Sequence, residues 1–382
     1  MNRLFILIVA LIVYGSLYPW QFQFAGAQAN PLLVLLTSWP SVWDGYALRD
    51  AAVNLLLYLP FGAAAMWALP RRMPRLMGGL LVLLGAMALS SSMEMLQVYV
   101  PGRVCSLFDV LCDTSGAALG MAVALVYHPA PAGRPRLAAI PAGGALLLAL
   151  FAGYQMYPFF PVLSRTWLRN AVERLLGADG FSGPEVWCSA AEWLAALVVL
   201  KTVLDAVPEM PFVRLWPTLA VLCLPLRMAI PARTLALHEV LGALAGWLAC
   251  MLLPRGVRLR AAAGMLAAAI VLRELAPFHL AAAPAAFQWI PFWPSLDSER
   301  QSALVILARK AFDYGAMVWL LRANGVSWAR AGAVVAAALA ALETAQRWLP
   351  GRTPETTDAV LTLLLTFILW SLDNFQRRRG LA

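Results

Sequence analysis

Charge is what this chain has least of. Only 13% of its 382 residues are Asp, Glu, Lys or Arg, against about 25% in an ordinary soluble domain, and that shortage excludes a soluble enzyme. Lysine is almost missing: of 29 basic residues only Lys201 and Lys310 are Lys. Histidine is confined to the scattered His128, His238 and His279, and Cys105, Cys112, Cys188, Cys223 and Cys250 form no Cys-x-x-Cys pair. No zinc site, disulfide framework or cofactor is therefore expected. The net charge of +9 would suit a nucleic-acid binder, but the arginines stand singly or in short groups at the ends of apolar blocks, where they anchor helices in a headgroup region. No nucleic-acid partner is expected.

Apolar sequence is what remains: 62% of residues are hydrophobic and the mean hydropathy is +0.73. It falls in blocks of roughly twenty residues, the length an α-helix needs to cross about 30 Å of hydrocarbon. The expected fold is an all-α polytopic membrane protein whose first partner is the lipid bilayer.

The chain also resembles itself. Glu94-Met-Leu-Gln97-Val-Tyr-Val-Pro101-Gly102-Arg103 is followed six residues on by Asp109, and Glu343-Thr-Ala-Gln346-Arg-Trp-Leu-Pro350-Gly351-Arg352 six residues on by Asp358. A degenerate middle copy aligns Arg233 with Arg103 and Glu239 with Asp109, but carries Leu224 and Arg227 at the Glu and Gln positions. Each copy has an aromatic and proline segment upstream: Tyr18-Pro19-Trp20, Tyr157-Pro158-Phe159-Phe160-Pro161 and Ile290-Pro291-Phe292-Trp293-Pro294. Such segments mark helix exits at an interface.

Four spans per copy give about twelve transmembrane helices as three parallel four-helix repeats, in units 1–130, 131–256 and 257–382, the last with a basic C-terminal tail. The expected spans are about 3–18, 50–69, 76–99 and 107–127, then 137–157, 187–206, 213–228 and 235–253, then 258–276, 303–321, 328–348 and 357–372. The stretch Leu4 to Leu17 has features of a signal peptide, with Ala25-Gly26-Ala27 loosely like a cleavage site. An uncleaved helix is expected, since it holds the same place in its copy as two later helices.

An even number of spans per copy puts both termini on one face. That face carries sixteen of the 29 Lys and Arg but only Asp205, Glu209 and Asp373 among the 20 acids. The positive-inside rule then makes it cytoplasmic and puts the Pro-Gly-Arg landmarks on the outer side of a bacterial inner membrane.

Ionisable groups in or beside membrane helices are costly, so they pair and they matter. The candidate binding residues are Arg49, Asn54, Glu94, Gln97, Arg103, Asp109 and Asp113 in the first copy and Glu343, Gln346, Arg352 and Asp358 in the third, where Arg309 and Asp313 also recur. Glu94 and Gln97 are one face apart by three, Asp109 and Asp113 by four. A packing role would have Arg103 cap the third span and bridge to Asp109 or Glu94, with Gln97 bonding across helices. A binding role would have the same cluster receive a headgroup or an envelope amphiphile. A catalytic role would make Glu94 or Asp109 a general base, but neither a nucleophile nor a metal accompanies them. The Gly116/Gly120 and Gly242/Gly246 pairs read as helix packing.

The string Arg49-Asp-Ala-Ala-Val-Asn54-Leu-Leu-Leu-Tyr-Leu-Pro60-Phe-Gly62, with Ser92-Met-Glu94-Met-Leu-Gln97, Gly102-Arg103 and Asp109-Val-Leu-Cys-Asp113-Thr-Ser-Gly116, resembles the VanZ-like family of bacterial membrane proteins over about residues 14–127. The third copy, about 286–370, resembles it more faintly. Asp113 stands where the family usually has Asn. The resemblance implies an integral protein of the cell envelope, with a link through the family's namesake to low-level teicoplanin resistance, and implies no catalytic residues. Three functions stay open: binding or screening an envelope amphiphile, carrying a lipid-linked substrate as a transporter or flippase, and modifying a lipid as an enzyme.

Overall fold

The computed structural model describes residues 2–18, 20–24, 30–39, 45–70, 72–126, 140–157, 164–177, 182–206, 216–222, 224–230, 235–293 and 300–378, with the side chains of 45–50, 126, 176, 216, 219, 222 and 300–304 left aside. Arg233, the Arg49 side chain, Pro19, Ala25–Ala27, the segment 158–163, Pro294, Cys223 and the tail from 379 lie outside the described residues. Among those described, helix is the only repeating structure, and one isolated bridge joins Gln288 to Glu355.

Two compact units divide the chain, Met1–Ala138 and Ala139–Ala382. The first contains α1 (Asn2–Leu17), α2 (Pro31–Thr37), α3 (Gly45–Ala68), α4 (Arg75–Gln97) and α5 (Leu107–Val126). The second contains α6 (Ala142–Met156), α7 (Arg165–Leu176), α8 (Gly183–Asp205), α9 (Trp216–Leu222), a 3-10 turn (Leu224–Ala229), α10 (Leu237–Leu252), α11 (Arg255–Leu275), α12 (Arg300–Ala323), α13 (Trp328–Gln346) and α14 (Thr357–Arg378). The expected boundary at 256/257 falls inside this unit, in the first turn of α11.

Helix occurs at all twelve expected stretches. Where 213–228 was expected to be one span, the described residues form α9 and the 3-10 turn. Pro225 follows Leu224 there, and proline removes the N–H a continuous helix would need. Among the described residues six helices are long and apolar enough to cross a membrane: residues 51–68 of α3, α4, residues 107–125 of α5, α8, α13 and α14. Helices α1, α6 and α10 are apolar but shorter.

In the first unit α3 and α5 lie almost backbone to backbone. A Cβ on Gly116 would sit 2.1 Å from the Leu55 carbonyl oxygen, and one on Gly120 1.9 Å from that of Leu59. Only glycine permits that approach, which in lipid replaces the hydrophobic drive that water would supply. In the second unit α8 is central: 72% of its apolar window is buried, against 33% for each of the other five. Its run Ala190–Val199 is apolar on every face except for Glu192, the pattern of a helix enclosed by others.

Candidate functional site

Glu94 and Gln97 end α4 on its buried face. The Glu94 Oε2 accepts the Ser106 N–H at 2.8 Å, one residue before α5 begins. Gln97 Nε2 donates to the Ser16 carbonyl at 3.1 Å, in the last turn of α1. Arg103, brought round by Gly102 at φ +78°, donates from Nε to Tyr18 O at 3.3 Å and from Nη2 to Gly15 O at 3.1 Å. The end of α4 and its loop therefore supply partners to the open C-terminus of α1 and the N-terminus of α5. Those backbone groups have no partner within their own helix, and water is scarce near lipid. The Arg103 cap thus falls on the C-terminus of the first helix.

The second unit repeats these contacts at the same spacings. Glu343 Oε2 accepts the Glu355 N–H at 2.8 Å, twelve residues on, as Glu94 does from Ser106. Arg352, after Gly351 at φ +73°, donates from Nε to Ala276 O at 2.9 Å and from Nη2 to the Arg273 carbonyl, again a pair three residues apart. Gln346 departs from the pattern. Where Gln97 meets a backbone carbonyl, Gln346 Nε2 meets the Glu274 side chain at 2.7 Å.

Around Glu274 the second unit builds a charged network. Lys310 Nζ lies 2.7 and 2.9 Å from the two Asp358 oxygens. Tyr314 donates to Asp358 at 2.6 Å and to Glu274 at 3.3 Å. Carboxylate oxygens of Glu274, Glu343 and Asp358, all buried, lie within 4.8 Å of one another, the spacing at which acids can hold a cation, although Lys310 already neutralises Asp358. Glu355, in the loop, takes the Thr357 hydroxyl, and burial pushes its carboxyl above the ordinary glutamate range. Deeper along α11 and α12, Arg273 bonds Glu192 of α8 and Asp313, the latter at 3.3 Å.

Between the 3-10 turn and α10, Arg227, 2% exposed, reaches both Glu239 oxygens at 3.1 and 3.2 Å, and Glu239 also takes the Ala236 N–H at 3.1 Å. The cation at the Gln position thus pairs with the acid at the Asp position.

Residues 3–128 match the VanZ/LLP1 family model. The first unit is VanZ-like. Comparison with curated proteins and with solved structures gives no match. The matched stretch runs from α1 through α5, the helices that Glu94, Gln97 and Arg103 tie together.

The VanZ-like unit also has a groove of about 410 Å³ between α2 and the end of α4, lined by Asn30, Pro31, Leu32, Ser92, Met95, Leu96 and Tyr99. Deeper in the unit, Ser90 donates to Asp113 Oδ2 at 2.6 Å, with the Tyr58 ring beside them. Asp113 here accepts through one carboxylate oxygen. Asp109 is half-buried, its N–H on the Ser106 hydroxyl at 3.3 Å, and Asn54 is half-buried on α3.

The structure thus brings Glu94, Gln97 and Arg103 together, and Glu343, Gln346, Arg352 and Asp358 together. Reasoning from repetition missed Glu192, Arg273, Glu274, Lys310, Tyr314 and Glu355. A usable signal existed for three of them. Glu192 interrupts an otherwise apolar run, Lys310 is one of two lysines, and Glu274 ends a span beside Arg273.

Proposed function

We propose that this is a twelve-span protein of the bacterial inner membrane, three parallel four-helix copies with both termini cytoplasmic, whose VanZ-like unit holds an envelope amphiphile at its outer side. The recurring Glu, Gln and Arg bonds support the copies, and the arginine distribution supports the orientation. A cysteine placed at Val104, which is 79% exposed beside the Arg103 turn, is expected to react with an impermeant reagent on intact spheroplasts. Reaction only after lysis would invert the topology.

The observation that carries the binding reading is the groove. Its walls are almost entirely carbon, and it opens beside the exposed Leu32, Leu33 and Leu36 of α2 and Leu96 of α4, a shape suited to an acyl chain. Asn30 and Ser92 on its rim provide the polar chemistry for a headgroup. Glu94, Gln97 and Arg103 serve by holding the helices that form its walls, and Glu343, Gln346, Arg352 and Asp358 do so for the third copy.

A carrier would need the recurring acids of the three copies, Glu94, Glu239 and Glu343, to line a shared path. Glu94, Glu239 and Glu343 are each bonded instead within their own copy, to Ser106, to Arg227 and Ala236, and to Glu355. An amphiphile-binding protein fits that arrangement better than a flippase or a lipid-modifying enzyme.

Mass spectrometry of lipids retained by the purified protein tests the reading. Ser92→Trp and Met95→Trp, which fill the groove, are expected to release a lipid the wild type keeps while leaving protein abundance unchanged. Equal retention would sink it. The family resemblance extends the reading to glycopeptides, and the same variants are expected to lose any protection against teicoplanin-type compounds that the wild type gives.

A further inference from the structure

We propose that the second unit contains a binding site for one small monovalent cation, a proton or Na⁺, between Glu192 of α8 and Asp313 of α12. This stands apart from the lipid groove and uses none of its residues.

The site is built from four helices of that unit. Tyr154 and Gln155 come from α6, Glu192 from α8, Arg273 from α11 and Asp313 from α12. Gln155 Nε2 donates to the Tyr154 hydroxyl at 3.0 Å, which donates to Glu192. Arg273 Nη1 is shared between Glu192 and Asp313. Rings close one side: Phe151 lies 5.0 Å from Trp193, 4.9 Å from Phe312 and 5.4 Å from Tyr154, centre to centre. Glu192 and Asp313 are each 4% exposed.

Two observations point to a missing positive partner. Among the described residues, Asp313 Oδ1 is buried without a hydrogen-bond partner, and so are the acceptor Gln155 Oε1, on a side chain 7% exposed, and one donor of the cluster, Arg273 Nε. Two buried acceptors against one donor leave at least one acceptor in want of a donor or a cation, and buried acceptors without partners are uncommon. The charge count agrees. Facing Asp313 are Glu192, Glu274, Arg273 and Arg309, so three carboxylates meet two guanidinium groups. A net negative charge left in hydrocarbon is far costlier than one closed by an ion.

Na⁺ would take carboxylate and amide oxygens, the hard ligands such ions prefer. A proton would sit on the Glu192 and Asp313 pair and leave a neutral carboxyl to donate. Arg273 is the internal counter-charge that keeps the demand to a single positive unit.

Thermal unfolding of the purified full chain in detergent, with NaCl replaced by KCl or choline chloride at constant ionic strength and at one mildly acidic and one mildly alkaline pH, tests the site. A midpoint that rises with Na⁺ alone identifies Na⁺, and one that rises on acidification in every salt identifies the proton. In either case Asp313→Asn, which removes the charge and keeps the shape, is expected to abolish the dependence or weaken the apparent affinity at least tenfold. Gln155→Leu, which leaves both carboxylates in place, is expected to weaken a Na⁺ effect and spare a proton effect. The proposal falls if the wild type shows neither dependence, or if the dependence persists unchanged in Asp313→Asn. Should Asp313→Asn fail to fold, Glu192→Gln takes its place under the same criteria.

Discussion

The two units solve one problem with different chemistry. Each must satisfy the open end of an early helix and the start of a later one near lipid, and each does so with a Glu, a Gln and an Arg at the same spacing. In the VanZ-like unit Gln97 meets the Ser16 carbonyl, a neutral contact. In the second unit Gln346 meets Glu274, which leads to Tyr314, Asp358 and Lys310. The first design tolerates the loss of a bond as a missing hydrogen bond. The second converts such a loss into an uncompensated charge, so the same residue type has different consequences in its two settings.

The difference should be largest at the ion pair. Lys310→Met strands Asp358 and is expected to destabilise the chain by about 3–5 kcal/mol, with Asp358→Asn restoring much of it in the double variant. Additive losses would show that the pair is not coupled. Thermal unfolding in detergent reads both. Next come the paired glutamines. Gln346→Leu removes a donor from a carboxylate, at about 1.5–3 kcal/mol, whereas Gln97→Leu removes one from a carbonyl, at about 0.5–1.5 kcal/mol. Equal costs would erase the contrast.

At Gly120 and Gly315 the ranking reverses. Gly120→Ala drives a Cβ into the Leu59 carbonyl, rigid backbone 1.9 Å away, and is expected to cost about 1–3 kcal/mol. Gly315→Ala in the second unit meets the flexible tip of Leu147 at 2.8 Å and is expected to cost less.

The smallest effect is a pH slope. Because burial raises the Glu355 carboxyl above its ordinary value of 4.5, the folded state holds that proton longer than the unfolded state. Its contribution is present below the ordinary value and is lost as pH climbs through the raised one. Unfolding midpoints of the wild type are therefore expected to decline against those of Glu355→Gln across that interval, then run parallel. Parallel curves throughout would exclude the effect.

Repetition in the sequence was enough to find the Glu, Gln and Arg that tie helix ends, because their partners are backbone groups at fixed offsets and the offsets survive duplication. Hydropathy located the longer helices for a similar reason, since lipid sets a minimum length for a spanning one. Neither signal could reach Lys310 with Asp358, or Arg273 with Glu192. Those pairs join helices 48 and 81 residues apart, and nothing local to either residue encodes the meeting. The direction of the Arg103 cap was missed because its carbonyl partners lie 85 and 88 residues earlier in the chain.

The stitching of α1 to the α4–α5 loop has a consequence for biogenesis. The carbonyls at the end of α1 leave the ribosome some eighty residues before Gln97 and Arg103 exist to receive them. During that interval the insertion machinery or lipid headgroups must solvate that end. Assembly of the first unit then waits on α4, and a ribosome stalled shortly before Gln97 should leave α1 inserted but unclasped, open to proteases that the finished unit resists.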